Sequence, residues 1–375
     1  MKIYKNKIII FSTITIISLI IIISIVIITL TIPKPILQTG YKTQIILKNL
    51  NTPWELDFLP DNNLIFTERS GKVKIFNPKT KQIQTILSLD IPEIGESGLL
   101  GLTMDPDFKK NNYIYLYYTT ENQNQVSRFT LINYNQNNQT PNTQNQNNIT
   151  LINEVIIIDK IPNAKYHNGG RIKFGPDGKL YITTGDATSE SSAQDINSKA
   201  GKILRINKDG SIPNDNPFQD NPTYSYGHRN PQGLTWDKKT NQLYSSEHGK
   251  YQNDEINIIK KGKNYGWPNT ECDEISQIYE NPIKCFSEST LAPSGITFHN
   301  NILYVAGLRG TQIRKLTLNK NGTSIISEEK LFSNLGRLRN IVEHDNKLYM
   351  LTNNKDGRGI PKFGDDKIIQ IEIIN

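Results

Sequence analysis

A short apolar–aromatic core returns six times along this chain, and no other feature constrains its fold as tightly. The copies are Leu64-Ile65-Phe66, Ile114-Tyr115-Leu116, Leu180-Tyr181-Ile182, Leu243-Tyr244-Ser245, Leu303-Tyr304-Val305 and Leu348-Tyr349-Met350. Successive copies begin 50, 66, 63, 60 and 45 residues apart. Several follow a turn rich in Pro, Asp, Asn or Gly, such as Pro176-Asp177-Gly178-Lys179. A repeat of this length, made of strands and such turns, is what one four-stranded blade of a β-propeller needs. Six copies predict an all-β, six-bladed propeller. Abundant tyrosine, isoleucine and threonine with scarce alanine favour strands over helices. Lys42–Leu47 and Lys367–Ile373 could complete one sheet from the two ends and so hide exposed edges.

Residues 1–35 read as a separate targeting or anchoring segment, ahead of a propeller domain at 41–375. Lys2, Lys5 and Lys7 precede an uncharged run at 8–32. That run exceeds the about 7–15 apolar residues of a secretory signal core and matches the about 20 of a membrane helix. The lysines would stay in the cytoplasm and everything after Pro33 would face out, anchored or, if the segment is cleaved, secreted. The net charge is +7, but no dense Lys/Arg block suits a nucleic-acid partner. The two cysteines, Cys272 and Cys285, allow one disulfide in an oxidising compartment and are too few for a thiolate metal site. The Asn/Gln-rich stretch 133–148 reads as a solvated insertion between strands.

Five segments carry more polar chemistry than a scaffold needs. His167-Asn168-Gly169-Gly170-Arg171 sets a histidine beside paired glycines that let backbone approach a ligand closely. By itself His167 either finishes a turn or presents a proton acceptor in a pocket. The others are Gly95-Glu96-Ser97-Gly98, then Gly227-His228-Arg229-Asn230-Pro231, then 246–268, and the pair Gly307-Leu308-Arg309-Gly310 with Gly336-Arg337-Leu338-Arg339. Arg171, Arg229, Arg309, Arg337 and Arg339 come from different repeats, and their convergence would suit a ligand rich in carboxylates or phosphates. Glu255, with Asn257, Asn264 and Tyr265 nearby, suits a hard cation such as calcium, or else forms a solvated turn.

Together these strings resemble the soluble aldose (glucose/sorbosone) dehydrogenases that use pyrroloquinoline quinone (PQQ). The similarity runs from Asn51 to the C-terminus: His-Asn-Gly-Gly-Arg, Gly-His-Arg-Asn-Pro-Gln-Gly, Asp-Glu-Ile-Asn with Asn-Tyr-Gly-Trp-Pro, and Arg-x-Arg occur in the family's order. The resemblance implies a six-bladed propeller that oxidises aldose sugars to lactones and passes electrons to an acceptor it does not identify. It makes His167 the general base, with Arg229 beside the reducible carbonyl. It sets Glu96, Arg229, Asn230, Arg309, Arg337 and Arg339 at PQQ-contacting positions. It also implies a catalytic Ca²⁺ on the main-chain oxygens of Gly249 and Lys250, and a second Ca²⁺ at Glu255 and the main chain of Tyr265.

Some positions depart from the family. Glu96 stands where some members carry glutamine, and a carboxylate beside a tricarboxylate needs an offsetting cation. Tyr166 replaces an aspartate of some members, and the stretch 268–291 diverges. Two other readings suit a propeller: a non-catalytic protein- or glycan-binding module like the hedgehog-interacting proteins, and a calcium-dependent sugar lactonase.

Overall fold

The computed structural model describes residues 38–134, 148–272 and 275–374. The expected anchor at 1–35 and most of the Asn/Gln-rich insertion lie outside the described residues. Among the described residues no helix is long and apolar enough to cross a membrane.

Among the described residues, twenty-four strands form six four-stranded antiparallel sheets. Their inner strands are Pro53–Phe58 in blade 1, Leu99–Met104 in blade 2, Ile172–Phe174 in blade 3, Pro231–Asp237 in blade 4, Pro293–His299 in blade 5 and Leu338–His344 in blade 6. Each apolar–aromatic repeat proves to be the second strand of its blade: Leu64–Glu68, Tyr113–Thr119, Leu180–Thr184, Gln242–Glu247, Ile302–Gly307 and Lys347–Thr352. A second strand has a neighbour on both edges and a packed blade on both faces. This is why its residues run apolar continuously instead of alternating. Ile65, Phe66, Tyr115, Tyr117, Tyr244 and Val305 are all fully buried.

The sixth blade is built from both ends of the chain. Tyr41–Leu47 pairs antiparallel with Ile368–Ile373, with Tyr41 opposite Ile373 and Thr43 opposite Ile371. Ile368, Ile369 and Ile371 are fully buried, so the closing strand is fastened by apolar packing as well as by the hydrogen-bond ladder.

Antiparallel pairing also decides where the loops go. The start of an inner strand and the end of the second strand fall on one face of the ring, in every blade. Each polar segment begins at one of these two positions, and 246–268 then runs on through the third strand Asp254–Ile259 of blade 4 into the long loop after it. Phe66 packs with Leu56, Phe76, Tyr349 and Leu351 between blades 1 and 6. Phe66→Ala should cost about 3–5 kcal/mol in chemical denaturation.

Candidate active site

Four loops that lead into inner strands supply Glu96, His167, Arg229 and Arg337. Four loops that follow second strands supply Asp186, the His248–Lys250 turn, Arg309 and Arg358. His167 has a left-handed backbone (φ +62°), and its N–H donates to Glu96 Oε2 at 3.1 Å. Its Nδ1 lies 2.8 Å from Asp186 Oδ1, and Asp186 is fully buried. The other Asp186 oxygen accepts from the Trp267 indole N–H at 2.9 Å. A carboxylate on Nδ1 fixes the tautomer and leaves Nε2 as the proton acceptor. The paired glycines are required here. A Cβ on Gly169 would lie 2.5 Å from the Thr183 carbonyl oxygen, and one on Gly170 would lie 2.6 Å from the Leu100 side chain. His167 is therefore a positioned histidine and not merely the end of a turn.

Glu96 is enclosed by protein donors. Oε1 accepts from Arg358 Nη1 at 2.8 Å, while Oε2 receives the His167 N–H and, at 3.4 Å, the Asn230 amide. Burial works against its charge, yet its pKa falls to about 2 because His248, Arg358 and the His167 N–H favour the carboxylate. Burial lowers His248 to about 3, so it is neutral at neutral pH. Arg358 is then the standing countercharge.

The arginines divide into two groups. Arg171 does not join the mouth. Its guanidinium pairs with Glu55, donates to the Gln232 carbonyl at 2.9 Å and stacks on Trp54 at 4.1 Å, deep along the axis. Arg337 is held by Asp356 at 2.8 Å, and Asp356 also receives Arg358 at 3.4 Å. Arg339 is buried against the uncharged Gln232 at 2.8 Å and Asn353 at 3.0 Å, and burial pulls its pKa well below the ordinary value. Arg229 reaches only the His248 carbonyl, at 3.4 Å, and lies 5.3 Å from the Trp267 ring. Among the described residues Arg229, Arg309 and Arg339 have no carboxylate partner. Arg229 Nε, His248 Nε2 and Asn353 Nδ2 are buried with no hydrogen-bond partner. Unpaired buried donors are costly, and an acceptor-rich anion would satisfy them.

Next to Arg229 is a cavity of about 20 Å³, lined by Glu247, Gly249, Lys250, Glu255, Tyr265, Trp267 and Glu271. That is room for about one water-sized occupant. Burial and the neighbouring Glu247 push the Glu255 carboxyl well above its usual range. Asn257 Nδ2 donates to Glu255 at 2.8 Å, while its Oδ1 is buried without a partner. Asp254 shapes the wall by accepting from the backbone N–H groups of Gly249 (3.1 Å), Leu291 (2.7 Å) and Ala292 (2.8 Å). Cys272 and Cys285 are joined in a disulfide, and Cys285 lies opposite Glu255 in the sheet. Clustered carboxylates and an orphaned amide oxygen suit a hard cation. Among the described residues no three His, Cys, Asp or Glu side chains converge as a ready chelate, so main-chain and amide oxygens would complete such a site. His228 is not a ligand candidate, because it is buried between Ser225 and Glu247 and stacks on Tyr265.

Asp186, Trp267, Glu247 and Arg358 were not singled out from the sequence. Asp186 closes the Thr183-Thr184-Gly185-Asp186 run and Trp267 lies in a noted motif, but only the fold reveals their partners. Arg358 lies in the loop between the last two strands, which has no repeat signature.

One face of a propeller thus carries a carboxylate-held histidine together with loops whose guanidinium groups lack carboxylate partners. The chain belongs to the glucose/sorbosone dehydrogenase family, whose model matches residues 50–362. It is 37% identical over 265 residues to quinoprotein glucose dehydrogenase B of Acinetobacter calcoaceticus, covering 61% of this chain and 53% of that relative's length. It is 30% identical over 346 residues to the aldose sugar dehydrogenase YliI of Escherichia coli, covering 84% of this chain and 90% of that one. The PQQ-bound aldose sugar dehydrogenase of Streptomyces coelicolor superposes with a TM-score of 0.79 at 34% identity, over 90% of this chain and 99% of that one.

The Glu96 geometry predicts an acid response. A depressed folded-state pKa contributes stability above the unfolded value of 4.5, which is lost as pH falls from there toward about 2. Glu96→Gln should remove that component, so the loss of stability between about pH 4.5 and 2 should flatten in denaturant melts.

Proposed function

We propose that this protein is a PQQ-dependent aldose dehydrogenase that oxidises the anomeric carbon of a sugar to a lactone. The observation that carries this reading is the His167–Asp186 pair at 2.8 Å beside buried donors without acceptors. Family membership and the likeness to a PQQ-bound aldose sugar dehydrogenase support it.

Asp186 holds the Nδ1–H of His167, so Nε2 takes the proton of the anomeric hydroxyl. As that proton leaves, the anomeric hydrogen departs as hydride with the electron pair of the C–H bond, and the C–O bond becomes the lactone carbonyl. Bound PQQ would supply the two-electron acceptor. Arg229, Arg309 and Arg339 would hold its carboxylates, and Asn230, tied to Glu96, would help line its site. Trp267 keeps Asp186 in place and excludes water from behind the histidine.

Calcium is part of the same reading. The main-chain oxygens of Gly249 and Lys250 would hold one ion beside the cofactor, where it would polarise a carbonyl. Glu255 and the main chain of Tyr265 would hold a second. The folded part would work outside the cytoplasm, where the Cys272–Cys285 bridge stays oxidised. The lysines ahead of 8–32 support a membrane anchor with the propeller facing out.

Purified protein given PQQ and Ca²⁺ should reduce an artificial electron acceptor when supplied with aldoses. Neither PQQ uptake nor turnover across a broad sugar panel would overturn the assignment, and lactone hydrolysis without PQQ would favour a lactonase. His167→Ala should lower kcat by roughly 10²–10⁴-fold while PQQ still binds, measured by turnover and absorbance titration. Chelation should lower the melting temperature of the parent, and added Ca²⁺ should restore it. The melting temperature of Glu255→Gln should respond several-fold less to added Ca²⁺.

A further inference from the structure

The proposed function gives no role to Arg358, and the family resemblance makes Glu96 a contact to the cofactor. The geometry points to a different arrangement. Both Glu96 oxygens are taken by protein donors: Arg358 on one, the His167 N–H and the Asn230 amide on the other. The Glu96 side chain is only 11% exposed, against 38% for Arg358. The carboxylate is thus withdrawn behind the residues it holds, while the guanidinium lies outward of it at the mouth.

We propose that Glu96 and Arg358 act as one charge-matched clasp. Glu96 is a positioning residue that fixes His167 and Asn230 relative to each other. Arg358 is the cation that lets a buried carboxylate sit beside an anionic cofactor. The clasp spans four loops: 89–98 before blade 2, 162–171 before blade 3, 227–230 before blade 4, and 353–367 in blade 6. Arg358 is tied back by Asp356, which also holds Arg337, so the charges alternate Arg337, Asp356, Arg358, Glu96 around the rim. Such alternation keeps each carboxylate next to a guanidinium and away from an incoming anion. A neutral glutamine at position 96 would need no such partner. The Glu96–Arg358 pair thus compensates the extra carboxylate within the protein, and the proposal rests on the PQQ reading only for the identity of the anion.

Four variants test it in the full-length protein: Glu96→Gln, Glu96→Ala, Arg358→Gln and the double substitution Glu96→Gln/Arg358→Gln. Arg358→Gln should weaken PQQ binding by about tenfold or more in absorbance titration, because Glu96 then faces the cofactor uncompensated. Glu96→Gln should leave PQQ affinity unchanged or tighter, whereas Glu96→Ala should lower kcat roughly ten- to a hundredfold with little change in KM, because the His167 N–H and the Asn230 amide then lose their acceptor. The double variant should regain PQQ affinity. Equal, additive losses of PQQ affinity in Glu96→Gln and Arg358→Gln would overturn the proposal, as would an unchanged kcat in Glu96→Ala. If the parent takes up no PQQ, the functional reading fails and the clasp is judged on the PQQ-free protein. Arg358→Gln should then lower the melting temperature and the double variant should recover part of the loss, whereas additive losses would overturn the clasp.

Discussion

The arrangement of the site depends on how the ring is closed. An open six-sheet array would leave one strand edge bare and the first and last blades free to separate. Pairing Tyr41–Leu47 with Ile368–Ile373 joins the two ends of the chain inside one sheet. With the circle closed, each inner strand has a defined place around the axis, and loops far apart in sequence meet at one face. Glu96 and Arg358 are 262 residues apart and bonded at 2.8 Å. That contact exists only because blades 1 and 6 are held side by side.

Within the mouth, electrostatic compensation sets what each residue can do. Burial makes every unpaired charge costly, so the ionised groups occur in matched sets: Arg171 with Glu55, Arg337 with Asp356, and Arg358 with Glu96. Against this background, guanidinium groups without a carboxylate stand out as places for a ligand's negative charge. Arg229 and Arg339 are of this kind, and the unsatisfied nitrogens of Arg229 and His248 lie beside them. The carboxylates around Glu255 are the opposite case, an excess of negative charge around a space for one small occupant. Anion-seeking and cation-seeking surfaces therefore adjoin, with Arg229 and Glu247 at their border.

Much of the fold could be read directly from the repeats. The second strand of each blade is buried on both faces, and this leaves a continuous apolar–aromatic signature that counts the blades. The histidine was legible because Gly169 and Gly170 tolerate no side chain against Thr183 and Leu100. Arg171 was misassigned to the ligand cradle, because an arginine four residues after His167 looks the same in sequence whether it faces the mouth or the core. Just ahead of the inner strand of blade 3, it turns onto Glu55 and Trp54. Glu96 looked like a foreign charge because its partner comes from a loop without any repeat pattern.

The sequence by itself determined the six-blade count, the joining of the two ends in one sheet and the polar segments that begin at one face of the ring. These follow from local periodicity and turn residues, which act over a few neighbours. Only the tertiary structure decided which carboxylate orients His167, which arginines stay unmatched and what neutralises Glu96. Those outcomes depend on pairings between blades, and charge pairing across a closed ring has no local signature because its partners are set by spatial register and not by sequence spacing.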